Sequence, residues 1–367
     1  MRVLTFLHSF EPGGVERDAL RLNAEWARLG VDVQIVLGRR EGRLGEEAPD
    51  LSYTVLQSGS RSTAAFETLW MIARLPAAIR ALKPDALFCA GNTYSIVAVA
   101  MRLILGRRCP PIVLKVSNDL QRRDLPSPMR RAYHFWLRRQ APVFASIVAM
   151  AEPARAEVEQ VMRVPSSRVV VINNASLCHT DLDRFAAARD SIACDDIGRH
   201  FLAVGRLVSQ KNFPSLLGAF ARIARDEDRL TLIGEGPERG KLARLAGALG
   251  IAAKVDMPGH INPLYDRFAR ADAFVLSSDY EGLGVVVVEA LAVGVPIIAT
   301  NCCVNMATLI DGAGFLVPTK DIAALAAAMN RIEAIPVDVP KMRARAQNFT
   351  VEKTAPDWIA LFEAFRG

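Results

Sequence analysis

The sequence predicts an α/β protein built from two doubly wound, Rossmann-like domains in tandem. Short β-branched runs alternate with helical patterns along almost the whole chain, the signature of parallel sheets joined by crossover helices. The 367 residues exceed what one compact core usually supports, and an apolar share of 51% is ample for two. The alternation breaks once, after residue 174, in the polar and aperiodic stretch NASLCHTDLDRFAAARDSIACDDIGR.

Taken in chain order, the first strand-like runs are RVLTFLH, VDVQIVL, DALFCAG, PIVLKVS, ASIVAM and RVVVIN. Between the first two lies GVERDALRLNAEWARLG, whose apolar residues share one helical face and whose Gly30 is a natural C-cap. The polar stretch then serves as a linker. A second set follows: HFLAVGR, RLTLIGEG, KVDMPGH, DAFVLSS, VPIIAT and GFLVP, again separated by helices. These elements give an N-terminal domain at 1–180, a linker at 181–198 and a C-terminal domain at 199–345. A closing helix at 346–367 is expected to pack across the domain junction.

Composition narrows the classes. Asn92, Arg102 and Glu289 interrupt the best apolar windows, so no helix long enough to span a membrane is expected. The opening MRVLTFLHSF reads as a first strand rather than a cleaved leader. Six cysteines (Cys89, Cys109, Cys178, Cys194, Cys302 and Cys303) show no CxxC spacing, which suits neither zinc nor a disulfide framework and points to a reducing cytosol. The net charge of +6 divides unevenly, with +7 in residues 1–185 and −1 in the rest.

In doubly wound sheets ligands bind beyond the carboxyl ends of the strands, so the strand-end loops carry the chemistry. SSDYEGLGVVVVEALAVGVPIIAT places Glu281 before an apolar helix and Glu289 inside it. A buried ionised glutamate is costly unless it is paired or hydrogen-bonded, and a ligand is one such partner. Gly282, Leu283 and Gly284 between them bring backbone N–H groups to a helix N-terminus, a setting suited to phosphate. In AVGRLVSQKNFPSLLGAF the strand ends at Gly205, and Arg206 and Lys211 follow as two cations able to neutralise a leaving diphosphate. LIGEGPER, with Gly234 and Gly236, and MPGHI, with His260 and Ile261, are further loops of the same kind. Along a helix the two carboxylates would stand up to about 12 Å apart, comparable to the span from ribose to sugar ring in a nucleoside diphosphate sugar.

Together VGRL, QKN, LIGEGPE, PGHI, YEGLG, the second glutamate and GVPIIAT resemble the C-terminal domain of the retaining glycosyltransferases of family 4, and HSFEPGGVER resembles the glycine loop that opens their N-terminal domain. The resemblance runs from residue 1 to about 320. It implies the GT-B fold, two Rossmann-like domains facing a central cleft. It also implies that Arg206 and Lys211 contact the donor diphosphate, Glu289 the ribose and Glu281 the donor sugar, with Arg206, Lys211 and Glu281 as the catalytic set. Gly13 and Gly14 would meet the donor from the opposite domain, and Gly205, Gly234, Gly236, His260, Ile261 and Gly282 to Gly284 would complete the donor site. Family members retain the anomeric configuration, need no general base and usually no metal, so neither a metal nor a cofactor is expected.

The chain departs from the family in two places. Where many relatives carry a histidine near the donor sugar, it reads VLKVSNDLQRR, so that Ser117, Asn118 or Asp119 stands in; His8, at the end of the first strand, is a further candidate for acceptor or sugar contact. Where relatives opening on a GGVER-like loop often show a Gly-Pro-Arg-Glu-like turn, it reads TNCCVNMATLIDGAG, and the missing acid leaves the sugar unnamed.

Residues 102–139 hold ten Lys and Arg against two acids, and SPMRRAYHFWLRRQ interleaves arginine pairs with aromatic residues. The segment 122–139 fits either an anionic membrane surface or an ordinary arginine-rich helix with one face in the core. No nucleic-acid motif accompanies the charge. The expectation is a cytosolic, peripheral hexosyl- or N-acetylhexosaminyl-transferase of bacterial cell-surface polysaccharide or lipopolysaccharide biosynthesis, using a nucleotide sugar, UDP ahead of GDP, and a glycan or lipid-linked acceptor. A GT-B nucleotide-sugar epimerase and a non-catalytic nucleotide-sugar-binding protein remain as alternatives. A dehydrogenase is disfavoured because no GxGxxG turn follows the first strand.

Overall fold

The computed structural model describes residues 1–11, 13–46, 48–57, 66–122, 124–191, 198–335 and 337–366. Arg123, Cys194 and residues 192–197 of the expected linker lie outside the described residues. The chain forms two units: Met1–Ser176 with Thr350–Gly367, and Leu177–Phe349.

The first unit holds a parallel sheet of β1 (Arg2–Leu7), β2 (Asp32–Leu37), β3 (Ser52–Val55), β4 (Ala86–Cys89), β5 (Ile112–Val116), β6 (Ser146–Ala149) and β7 (Val169–Val171), in the order β3-β2-β1-β4-β5-β6-β7. Helices α1 (Gly14–Arg28), α2 (Glu67–Leu82), α3 (Ser95–Leu105), α4 (Ser127–Gln140) and α5 (Glu152–Met162) connect the strands. Strands β4, β5 and β6 are buried along their whole length, as strands covered on both faces must be, and are apolar except for Lys115 and Ser146. Lys115, the one charge in β5, is buried and meets Asp18 of α1 at 3.1 Å; Asn174 donates to the same Asp18 oxygen at 2.7 Å. A buried ammonium is tolerated because this carboxylate compensates it.

The second unit begins with α6 (His179–Asp190) and continues through β8 (His200–Val204), α7 (Phe213–Ile223), β9 (Arg229–Ile233), α8 (Arg239–Ala248), β10 (Val255–Gly259) and α9 (Tyr265–Ala269). Then come β11 (Ala273–Leu276), α10 (Val285–Val293), β12 (Ile297–Thr300), α11 (Met306–Leu309), β13 (Gly314–Val317), α12 (Ile322–Asn330) and α13 (Val339–Gln347). Its sheet is parallel, in the order β10-β9-β8-β11-β12-β13. The chain ends in α14 (Val351–Glu363).

Three sequence expectations change. β3 was not foreseen: it is four residues long, at a sheet edge, with only partly buried side chains. The expected linker contains α6, anchored by buried Phe185 against Tyr265 and Phe268 at ring distances of 4.7 and 5.9 Å, and by Arg189 donating to the Ala269 carbonyl at 2.6 Å. The closing helix starts at Val351 rather than 346 and belongs to the first unit, where Trp358 and Phe362 pack on Trp26 and Phe88 at 5.0 to 6.4 Å.

Candidate functional site

In each sheet the strand order reverses once, between β1 and β4 in the first unit and between β8 and β11 in the second. At such a switch the loops leave the sheet in opposite directions and open a crevice at the carboxyl ends.

In the second unit the loops after β8 and β11 are locked together before any ligand is considered. The Asp279 amide donates to the Gln210 carbonyl at 2.9 Å, the Gln210 side chain to the Tyr280 carbonyl at 2.9 Å, and Ser277 Oγ to the Lys211 carbonyl at 2.8 Å. Asn212, left-handed at φ +45°, donates to Asp279 at 2.8 Å. This frame holds Lys211 Nζ 2.6 Å from Glu281 Oε1, an oxygen that also accepts the Ser278 hydroxyl at 2.7 Å. The two charged side chains are only 13% and 10% exposed. Arg206, on the same loop as Lys211, is exposed, while Leu207 is buried.

The glycines divide by role. A Cβ on Gly234 would lie 2.0 Å from the Gly205 carbonyl oxygen, and one on Gly236 2.4 Å from that of Leu207. These two glycines therefore let the strand-end loops of β8 and β9 touch, a packing duty beyond the donor contact expected from sequence. Gly205 differs: a Cβ there would meet the Lys211 side chain at 2.9 Å, so the lysine runs directly over it. Gly284 caps α10 at φ +82°, a conformation that favours glycine. Gly282 is half-buried and Leu283 buried in the same turn, and the Asn305 side chain donates to the Gly282 carbonyl at 3.0 Å. Glu289 is buried on α10, a helix apolar all round, while Glu281 sits in the preceding loop rather than on the helix. His260 is exposed and Ile261 half-buried, both after the edge strand β10.

The first unit gathers a second polar group at its own switch point. His8, after β1, lies with Nδ1 3.5 Å from Glu67 and its ring 4.8 Å from that of Tyr94. Its Nε2 is buried with no hydrogen-bond partner among the described residues. Burial lowers the pKa of His8, against the opposing pull of Glu67 and Glu16, which favours the neutral ring. Tyr94 donates to Glu16 at 2.5 Å. Gly13 is the N-cap of α1 and Gly14 its first residue. Asn118 is exposed, whereas both Asp119 oxygens accept backbone N–H groups of its own loop, from Gln121 at 3.0 Å and Arg122 at 3.1 Å. Asp119 therefore shapes the loop after β5.

Sequence reasoning passed over Tyr94, Glu16, Glu67, Ser278 and Asp279. The signal for Tyr94 was present in GNTY, a polar strand-end loop after DALFCA. Glu16 and Glu67 begin helices and carry no local mark of a site.

Residues 186–350 match the family model of glycosyl transferases group 1, and residues 12–175 that of glycosyltransferase family 4. The chain belongs to the family 4 glycosyltransferases. Within that family it is 34% identical over 134 residues to the lipopolysaccharide core biosynthesis glycosyltransferase LpsE of Rhizobium meliloti, a match covering 36% of this chain and 39% of LpsE. It is 28% identical over 218 residues to an exopolysaccharide phosphotransferase of Streptomyces coelicolor, covering 58% of this chain and 22% of that protein. The chain thus spans less than half the length of either curated relative. Anabaena HepE, solved with UDP and glucose, shares the GT-B fold across 99% of both chains, with a TM-score of 0.78 at 17% identity.

Proposed function

We propose that the protein is a retaining glycosyltransferase that moves a hexosyl or N-acetylhexosaminyl group from a nucleotide sugar, UDP ahead of GDP, to a glycan or lipid-linked saccharide in cell-surface polysaccharide biosynthesis. The observation that carries this reading is the Lys211–Glu281 contact at the crevice between β8 and β11. A cation and an acid placed together there match a donor whose phosphate and sugar hydroxyls lie side by side. Lys211 and Arg206 stabilise the charge that grows on the leaving diphosphate, Glu281 and the Gly282–Gly284 turn orient the sugar, and Glu289 accepts from the ribose. The acceptor hydroxyl attacks the anomeric carbon from the side the diphosphate leaves, and the departing phosphate oxygen takes its proton. The configuration is retained, and no side chain is needed as general base.

In the first unit, His8 Nε2 and Asn118 offer hydrogen bonds to sugar or acceptor. On α4, Met129 and Phe135 are 58% and 59% exposed beside exposed Arg131 and Arg139, and the Arg139 guanidinium lies 5.1 Å from the Phe135 ring. Leu137 turns into the core. This mixed basic and apolar face supports contact with an anionic membrane carrying a lipid-linked acceptor. Among the described residues no helix is long and apolar enough to cross a membrane.

A thermal-shift panel of UDP-, GDP- and ADP-sugars tests the donor, since a ligand of the native state raises its melting temperature by mass action. Transfer from the stabilising donor, radiolabelled, to lipid-linked acceptors then tests the reaction. Conversion of the sugar without acceptor would favour the epimerase, for which the His8, Glu16 and Glu67 cluster supplies acid and base groups. Binding without turnover would favour a sensor.

A further inference from the structure

Cys302 and Cys303 follow β12 at the carboxyl end of the second sheet and adjoin the loop that carries Glu281. The Cys302 carbonyl accepts the Glu281 N–H at 3.2 Å, and Asn305, two residues beyond the pair, holds the Gly282 carbonyl at 3.0 Å. The segment 302–305 thus grips the Glu281–Gly282 turn at both of its residues. Both cysteines are free and adjacent in the chain, Cys302 buried and Cys303 half-buried. The neighbouring thiol, burial and the Glu281 charge together raise the Cys302 pKa, so it stays a neutral thiol.

We propose that Cys302 and Cys303 form a dithiol site for a bridging thiophile of the trivalent arsenic class, and that its occupancy disables the Glu281 loop. The coupling to donor binding rests on the function proposed above; the dithiol site does not. A direct disulfide fits poorly. Adjacent Cα atoms stand about 3.8 Å apart, inside the roughly 4.4–6.8 Å that unstrained disulfides need, and an S–S bond draws the sulfurs to about 2.04 Å. An arsenic atom placed between the two sulfurs spans a wider gap and relieves that strain. The reaction balances without an oxidant: two S–As bonds form, the As=O oxygen leaves as water with both thiol protons, and no electrons change hands. Insertion beside buried Cys302 displaces the backbone that holds the Glu281 N–H.

Phenylarsine oxide is the probe, applied to the folded full chain. Intact mass should show one arsenical per chain, and alkylation under denaturing conditions should find Cys302 and Cys303 both protected. The melting-temperature rise produced by UDP-glucose should be lost in the adduct and return with excess dithiothreitol. Cys303→Ser should take up no arsenical yet keep the donor shift, while Cys178→Ser should behave as the native protein. Equal uptake by Cys303→Ser, or unprotected Cys302 and Cys303 after treatment, overturns the site. A donor shift that survives full occupancy overturns the coupling. Absence of any donor shift in untreated protein counts against the transferase reading instead, and the mass and alkylation results still decide the dithiol site.

Discussion

Lys211→Ala tests the pair at the centre of the proposed donor site. At 2.6 Å the gross attraction between Lys211 and Glu281 is about 6 kcal/mol at an effective dielectric near 20. Desolvation of two largely buried groups offsets most of it, so the pair itself adds little to stability. Truncation is different, because it leaves the Glu281 carboxylate buried with the Ser278 hydroxyl but without its cation. The expected loss is about 3 kcal/mol, or roughly 6–12 °C in melting temperature for a unit of this length. Transfer from the nucleotide sugar should fall on the order of 10²–10³-fold beyond any loss of folded protein. Urea denaturation of Lys211→Met, Glu281→Gln and the double variant should give a coupling energy of about 1–3 kcal/mol, with the double variant more stable than Lys211→Met alone. A coupling under roughly 0.5 kcal/mol would show that the contact is not a desolvated pair. Transfer undiminished by Lys211→Ala would refute the site.

Four further outcomes follow from named contacts. Gly234→Ala drives a methyl into the Gly205 backbone and should cost the second unit about 1–3 kcal/mol or more; Gly205→Ala meets the movable Lys211 side chain but strains a backbone at φ +159°, and should cost less than Gly234→Ala while lowering transfer. Glu157 shares the Gln121 N–H with Asp119, and burial together with that carboxyl raises its pKa to about 8. Between the ordinary carboxyl value of 4.5 and about 8 the folded state therefore holds a proton that the unfolded state has released, and stability falls as pH rises through that window. Glu157→Gln should flatten the fall in melting temperature between pH 5 and pH 8, and an unchanged slope would show that the group does not titrate there. Trp358→Ala should cost about 3–5 kcal/mol in urea denaturation, read in the first unit, because Trp358 packs on Trp26 and Phe88.

What the sequence made legible, and what it hid, divides along one physical line. Buried parallel strands write themselves as nearly continuous apolar runs, so β4, β5, β6 and β11 are readable without knowing their neighbours. β3 is not, because an edge strand with Ser52 exposed needs no such run. α6 escaped because Phe185 is its one buried residue, which leaves no period to detect. Trp358 and Phe362 marked the closing helix as amphipathic, but their partner Trp26 stands at the far end of the chain. The same limit applies to the site. Lys211 and Glu281 were each visible as residues just past a strand, because crossover connections put ligand-facing groups there. That they touch depends on β8 and β11 being neighbours, and those strands are separated in sequence by β9 and β10. Strand order is a property of the whole sheet, so the strand-end positions of single residues could be read locally while their pairing could not. The pairing bears on the proposed chemistry: Lys211 already has a counter-ion in Glu281, and a donor diphosphate at the proposed site would compete with Glu281 for it. A donor that brought both a diphosphate and a sugar hydroxyl would resolve that competition, since the phosphate would take the lysine while the hydroxyl gave Glu281 a new hydrogen bond. Free UDP would supply only the first of these exchanges.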